Sequence, residues 1–273
     1  MNFKIKALQG ALVAAMAVAS VSASAAVFND FQVTEQSVPG SLNNVFIADK
    51  ITGNYVEIVT FTPTSATSGT FDTSIKWNAG QFVANDGTTP VATQLGSFGG
   101  NGYGLYALLM GSGTYTTSGV VTTFSFNSGG TLSVWIDPDQ NTSFAAPATG
   151  NLAWTLGNTG DDYQIASGAL NGGFGTLDPG LPTCVGGINC GSFGTSTSFL
   201  LTALGSQYFT SPVPFYNASF ESGQLNSFTV AGTQSINGSL DVVFAKVPEP
   251  SSIALLGLGL LGLGMGLRRR KVD

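Results

Sequence analysis

Between residues 27 and 244 the chain is cut into short runs of β-branched and aromatic residues by Gly, Asn, Asp and Pro, and helical periodicity is nearly absent. A chain patterned in this way buries its apolar side chains by pairing strands. Residues 55–62 (YVEIVTFT) form the clearest run, ended by Pro63, and residues 71–77 follow with Phe71, Thr73, Ile75 and Trp77 on one face. Residues 103–110 are apolar enough to be buried on both faces. Residues 120–127 and 131–137 flank Ser128-Gly129-Gly130, a hairpin signal. Weaker runs lie at 27–35, 152–156, 163–166, 196–202 and 233–244, the last with Leu240, Val242 and Phe244 on one face. A short helix around 199–204 competes with the strand reading there. No fixed-period repeat is present. Many short strands with turns at close intervals predict an all-β chain folded as a single β-sandwich, jelly-roll-like, with glycine-rich loops at both ends.

The two ends are patterned differently. Residues 1–26 carry Lys4 and Lys6, an apolar stretch at 7–21 and then Ala23-Ser24-Ala25, the three regions of a secretory signal peptide that signal peptidase would remove after Ala25 or Ala26. No cysteine stands at that boundary, so a lipoprotein anchor is not expected. Residues 247–273 hold three parts in order: Pro248, Glu249 and Pro250; an uncharged apolar run expected as a transmembrane helix at 252–267; and the cluster Arg268, Arg269, Arg270 and Lys271. Four consecutive cations resist translocation, so an exported chain halts with them in the cytoplasm. The run is shorter than the roughly 20 residues of an ordinary spanning helix, as suits a temporary anchor. The prolines keep the chain extended where it leaves the bilayer, the form that a protease needs. The expected division is signal peptide at 1–26, all-β extracellular domain at 27–246 and sorting segment at 247–273.

That ordered trio resembles the PEP-CTERM sorting signal of Gram-negative bacteria. The resemblance implies an exosortase as partner, a polytopic membrane enzyme that cleaves near the motif, with Pro248, Glu249 and Pro250 as the recognised residues. It also implies transient residence in the inner membrane, then the cell surface or an exopolysaccharide matrix. Residues 49–55 (DKITGNY), 77–87 (WNAGQFVANDG), 104–107 (GLYA), 188–193 (INCGSF) and 236–244 (INGSLDVVF) are similar to the flocculation-associated PEP-CTERM proteins. This second resemblance implies an extracellular protein that helps retain exopolysaccharide in aggregates, and it brings no catalytic residues.

Composition narrows the chemistry. The chain has no histidine, which removes Ser-His-Asp and Cys-His catalysis and HExxH metalloprotease chemistry, and leaves carboxylates as the means for an enzyme. Without the two ends, Lys50, Lys76 and Lys246 stand against thirteen carboxylates, so nucleic acid is not an expected partner and a divalent cation fits better. Cys184 and Cys190 (CVGGINC) are the two cysteines, and export to an oxidising compartment makes a disulfide between them the default.

Asp137, Asp139 and Asn141 place oxygen-bearing side chains at alternate positions after a strand, like the start of a calcium loop. The EF-hand pattern then fails, with Thr142 where Gly is needed and Ala148 where Glu is needed. A strand-ending turn capped by Asp is the other reading. Asp161-Asp162 is a second acidic loop, and two acids roughly 5–10 Å apart across a groove could hydrolyse a glycoside. Trp77, Trp135, Trp154, Tyr55, Tyr103, Tyr106 and Tyr163 offer either a sugar-stacking platform or core, and the strand patterns favour burial of Trp77 and Trp135. The expectation is a non-enzymatic matrix protein with no cofactor, calcium being the ion that the acidic loops could take. The alternatives are a calcium-dependent glycan-binding module and a carboxylate-dependent glycosidase.

Overall fold

The computed structural model describes residues 28–96, 101–222 and 224–245. The signal peptide, the PEP triplet, the apolar run and the basic cluster lie outside these residues. The strands are Phe31–Thr34 (β1), Val45–Ala48 (β2), Lys50–Pro63 (β3), Ser68–Ala84 (β4), Thr89–Pro90 (β5), Gly104–Ser118 (β6), Val121–Phe126 (β7) and Gly129–Asp137 (β8). They continue as Ser143–Ala145 (β9), Thr155–Gly157 (β10), Tyr163–Leu177 (β11), Gly191–Thr197 (β12) and Leu200–Leu201 (β13). One helical turn, Gly205–Tyr208 (α1), precedes Phe209–Ser211 (β14), Asn217–Ser222 (β15) and Gly232–Ala245 (β16). The all-β expectation is met.

Alternation along β3 shows how the large sheet forms: Tyr55, Glu57, Val59 and Phe61 are buried, while Asn54 and Thr62 are exposed. Each long strand pairs antiparallel with the next, β3 with β4, β4 with β6, β11 with β12, β12 with β15 and β15 with β16. Strand β16 then pairs with β3 along its length, so the ladder closes on itself. Neighbours in sequence are neighbours in space, a meander order rather than the crossed order of a jelly roll. Closure leaves the ring without the free edges that invite strand addition.

One sequence signal is corrected. Ser128-Gly129-Gly130 does not turn a hairpin, because β7 and β8 both lie between β6 and β11 and run on in the same direction. Gly129 and Gly130 take φ of 106° and 69°, and a Cβ on Gly130 would sit 2.1 Å from the Met110 carbonyl oxygen. The glycines therefore break one long strand where it passes close to β6. The interior is aromatic: Phe71, Phe124 and Phe126 pack edge to face at 5.1–6.0 Å. A Cβ on Gly113 would lie 2.4 Å from the Phe71 ring, so the absent side chain makes room for it.

The helix falls at Gly205–Tyr208 and not at 199–204. Thr202 Oγ1 donates to the Gln164 carbonyl at 2.8 Å and Leu200–Leu201 pairs with β11, so the earlier segment is held extended. Residues 138–162 form an excursion between β8 and β11 that carries the β9–β10 hairpin. The excursion is clamped over the outer face, where the Gly150 amide donates to Thr60 Oγ1 at 2.9 Å and Trp154 Nε1 to the Ser74 carbonyl at 3.4 Å. This covering explains why Ile58 and Ser74, on the outward face, are buried.

At one end of the ring β14, β1 and β2 form a small sheet. Its Phe31 packs against Phe244 at 4.9 Å and Asn29 Nδ2 donates to the Phe244 carbonyl at 2.8 Å. The first described residues and the last thus meet at the same end.

Candidate functional site

The acidic loops foreseen as separate features are one site. Asp137 closes β8 and Asp161-Asp162 precede β11; these strands pair, with Tyr163 opposite Ile136, so the excursion leaves and returns at the same place. One carboxylate oxygen from each of Asp137, Asp161 and Asp162 lies within 4.8 Å of the others. Asp137 is buried, and its two oxygens accept the backbone amides of Asn141 at 3.2 Å and Thr142 at 3.0 Å. Asp162 accepts the Tyr106 hydroxyl at 2.6 Å and the Thr142 hydroxyl at 2.7 Å. Asp161 accepts the Asp139 amide at 3.0 Å. Of the alternating set expected to meet a cation, Asp137 is in the cluster, whereas Asp139 and Asn141 reach it through their backbone amides.

Electrostatically the cluster is unbalanced. Among the described residues the ion pair is Lys50–Asp241 at 3.1 Å, so no lysine bridges to the three carboxylates. Burial, and then the hydrogen bond to Asp162 and the charges of Asp162, Asp137 and Asp161, hold the Tyr106 hydroxyl well above its usual pKa. Lys76 instead lies over the rings of Phe144 at 4.5 Å and Trp154 at 5.7 Å, and burial lowers its pKa. A cavity of about 230 Å³ beside the cluster is lined in part by Asn78, Tyr106, Asp137, Gln140, Thr142 and Phe144. Hard oxygen ligands of this charge suit calcium, which takes six to eight of them.

The aromatic residues do not form one platform. Trp77 is buried and donates from Nε1 to the Leu240 carbonyl at 2.8 Å, and Tyr55 and Tyr103 are also core. Trp135 is half-buried on the outer face, where it lies parallel to Tyr106 with centroids 6.4 Å apart. Phe144, on the excursion, stands edge-on to Tyr106 at 5.0 Å and covers it. Burial pushes the half-buried Tyr163 hydroxyl up to about 12. Cys184 and Cys190 form the expected disulfide.

Three buried carboxylates, Glu35, Asp49 and Glu57, were not singled out by sequence; Asp49 accepts the Gly87 amide at 3.0 Å. Glu35 is 0% exposed and accepts from Asn44 Nδ2 at 2.6 Å, the Gln94 amide at 2.8 Å, Gln94 Nε2 at 3.1 Å and the Tyr103 hydroxyl at 2.9 Å. The Tyr103 hydroxyl also meets that of Tyr208 at 2.7 Å, which ties the network to α1. Burial, and then the neighbouring Tyr208 and Glu35, raise the pKa of Tyr103. Glu57 points into the ring, accepts from the Thr73 hydroxyl, and lines a cavity of about 30 Å³ with Phe61, Phe71, Phe124, Phe193 and Phe228. Burial raises its pKa to about 7, against a smaller lowering by the Thr73 hydrogen bond. The signal for Glu57 was present, since the period of two in YVEIVTFT puts it on the face of Tyr55, Val59 and Phe61. Glu35 had no such signal, because its partners Asn44, Gln94 and Tyr103 come from three separate parts of the chain.

No helix among the described residues is long and apolar enough to cross a membrane. No curated protein and no solved structure matches the chain. Residues 246–271, which begin directly after β16, match the PEP-CTERM protein-sorting motif, so this chain carries the tail of an exosortase-sorted, exported surface protein.

Proposed function

We propose that the folded body is a non-enzymatic component of the cell surface or exopolysaccharide matrix that contributes to flocculation or biofilm formation. An exosortase reading Pro248, Glu249 and Pro250 releases it or transfers it there. The observation that carries this reading is the sorting motif at 246–271 attached to an all-β body. The absence of histidine from the chain and the similarity of the body strings to flocculation-associated proteins point the same way. Mass spectrometry of the secreted protein should give a C-terminus within 247–250, and Glu249→Ala should leave the chain intact in the membrane fraction. An intact Asp273 in the wild-type membrane fraction, or a deletion strain that still flocculates with normal matrix, would overturn the proposal.

A second reading is favoured by one observation, the convergence of Asp137, Asp161 and Asp162. In it the body binds calcium at the foot of the excursion, with Phe144 lining the cavity beside Asp137 as the aromatic side chain next to a bound sugar. An extracellular calcium module with a dissociation constant of about 10⁻⁴–10⁻³ M would gain roughly 2 kcal/mol of stability at millimolar excess. Thermal unfolding with about 10 mM calcium, enough to load a site of that affinity, should therefore shift upward for the wild type and not for Asp161→Asn/Asp162→Asn. Identical shifts in both proteins, or none in the wild type, would remove this reading.

A further inference from the structure

The end of the ring from which the sorting tail departs carries part of the exposed apolar surface of the body. Strand β16 stops at Ala245, and the last core residue, Phe244, is surrounded by Phe31, Phe199, Phe209 and Phe215 at centroid distances of 4.9–5.8 Å. Phe199, Phe209 and Phe215 also line a cavity of about 270 Å³ whose rim is formed by Leu200, Pro212, Val213 and Pro214. That rim is apolar and uncovered: Val213 is 87% exposed, Leu200 66%, and Leu204, just before α1, 46%. Large exposed apolar side chains gathered at one end of an exported protein mark a contact surface.

The charge pattern says what kind of surface. The chain has no Asp, Glu, Lys or Arg between Asp178 and Glu221, and this stretch supplies Leu200, Leu204, Val213 and both prolines. Contact through this stretch strips water from apolar side chains, hydroxyls and amides, while the exposed Asp30, whose backbone carbonyl accepts the Tyr216 hydroxyl at 2.9 Å, is a charge beside it that stays in water at the level of the headgroups. The tether says what lies within reach. Seven residues, 246–252, separate Ala245 from the apolar run that starts at Ile253. At no more than about 3.5 Å each they hold this end of the body within roughly 25–30 Å of the bilayer.

We propose that the Leu200–Leu204–Val213 end is a membrane-contacting face. While the tail anchors the chain, these side chains rest in the bilayer interface and keep the segment with Pro248, Glu249 and Pro250 at the membrane surface. The proposal rests on the tail being inserted as an anchor. It adds that the body lies against the lipid through this end and does not merely hang from a linker.

The test uses the full chain in vesicles of phosphatidylethanolamine and phosphatidylglycerol with no other protein. Variants with one added cysteine, Leu200→Cys and Val213→Cys, with Val120→Cys in the turn at the far end of β6 as reference, are labelled at that one free thiol with an environment-sensitive fluorophore under non-reducing conditions that keep the Cys184–Cys190 disulfide. Their quenching by a nitroxide-bearing lipid is then compared. All three positions are exposed, so the label does not disturb the core. The expected result is a blue-shifted emission at 200 and 213 and quenching several-fold greater than at 120. Equal and weak quenching at all three sites, in vesicles that still carry the chain on flotation, would overturn the face while leaving the anchor intact. A blue shift at 200 and 213 without lipid quenching would overturn it too, because a second protein copy would then cover the surface. Failure of the chain to float with the vesicles would overturn the anchor and the face together.

Discussion

Replacing Glu35 with alanine is expected to lower the stability of the body by about 4 kcal/mol, because four hydrogen bonds converge on one buried carboxyl and the substitution leaves their donors without an acceptor. Each unsatisfied buried donor costs roughly 1–3 kcal/mol, and the partly exposed Asn44 and Gln94 recover some of that from water. The donors belong to the loop after β1, the segment before β6 and Tyr103 itself, which meets Tyr208 of α1. The loss should therefore loosen the whole capped end of the ring and not one side chain. Glu35→Gln, which keeps one carbonyl acceptor, should fall between wild type and alanine. Urea unfolding followed by tryptophan fluorescence measures both, and a loss below about 1 kcal/mol for alanine would show that the network does not hold that end together.

Glu57→Gln should act in the opposite direction and should do so only above mildly acidic pH. With the folded pKa near 7 and the ordinary value at 4.5, the folded protein keeps a proton that the unfolded chain releases between these two values. The stability associated with the protonated carboxyl is complete below pH 4.5, is lost as pH rises through the interval, and is gone above about 7. The shift corresponds to about 3 kcal/mol. Glutamine stays neutral throughout and still accepts from Thr73. The variant should match the wild type near pH 4 and exceed it near pH 8 by about 3 kcal/mol, or on the order of 5–10 °C in melting temperature. Parallel stability profiles for the two proteins across this range would show that Glu57 does not titrate inside the ring.

Legibility differed from element to element for identifiable reasons. β3, β4 and the later half of β16 were readable because a half-buried strand alternates, and residues 55–62, 71–77 and 240–244 do so except at Ile58 and Ser74, which the excursion covers. The β7–β8 break was misread as a turn because two adjacent glycines satisfy a hairpin and a strand break equally well. Partners in β6 and β11 choose between them. The candidate site was half legible. Asp137 and Asp161-Asp162 each stood out, but their meeting depends on β8 pairing with β11 across the excursion. Trp135 illustrates the same limit: alternation placed it on one face of a strand, but which face was core depended on how β8 paired with β6 and β11.

By itself the sequence determined the β class, the disulfide between Cys184 and Cys190 and the sorting tail, because each is written in residues close together in the chain: a period of two, a loop closed by two cysteines, and an ordered run of proline, apolar and basic positions. Tertiary structure decided the closure of the ring through β16 and β3, the gathering of three aspartates at one loop base, the phenylalanine-lined cavity around Glu57 and the exposed apolar rim at the end where β16 stops. All four depend on contacts between residues far apart in sequence. Strand periodicity fixes which side of a strand is apolar, whereas the free energy of closing the ladder and packing its interior selects the partner strand and therefore the neighbours that each side chain meets.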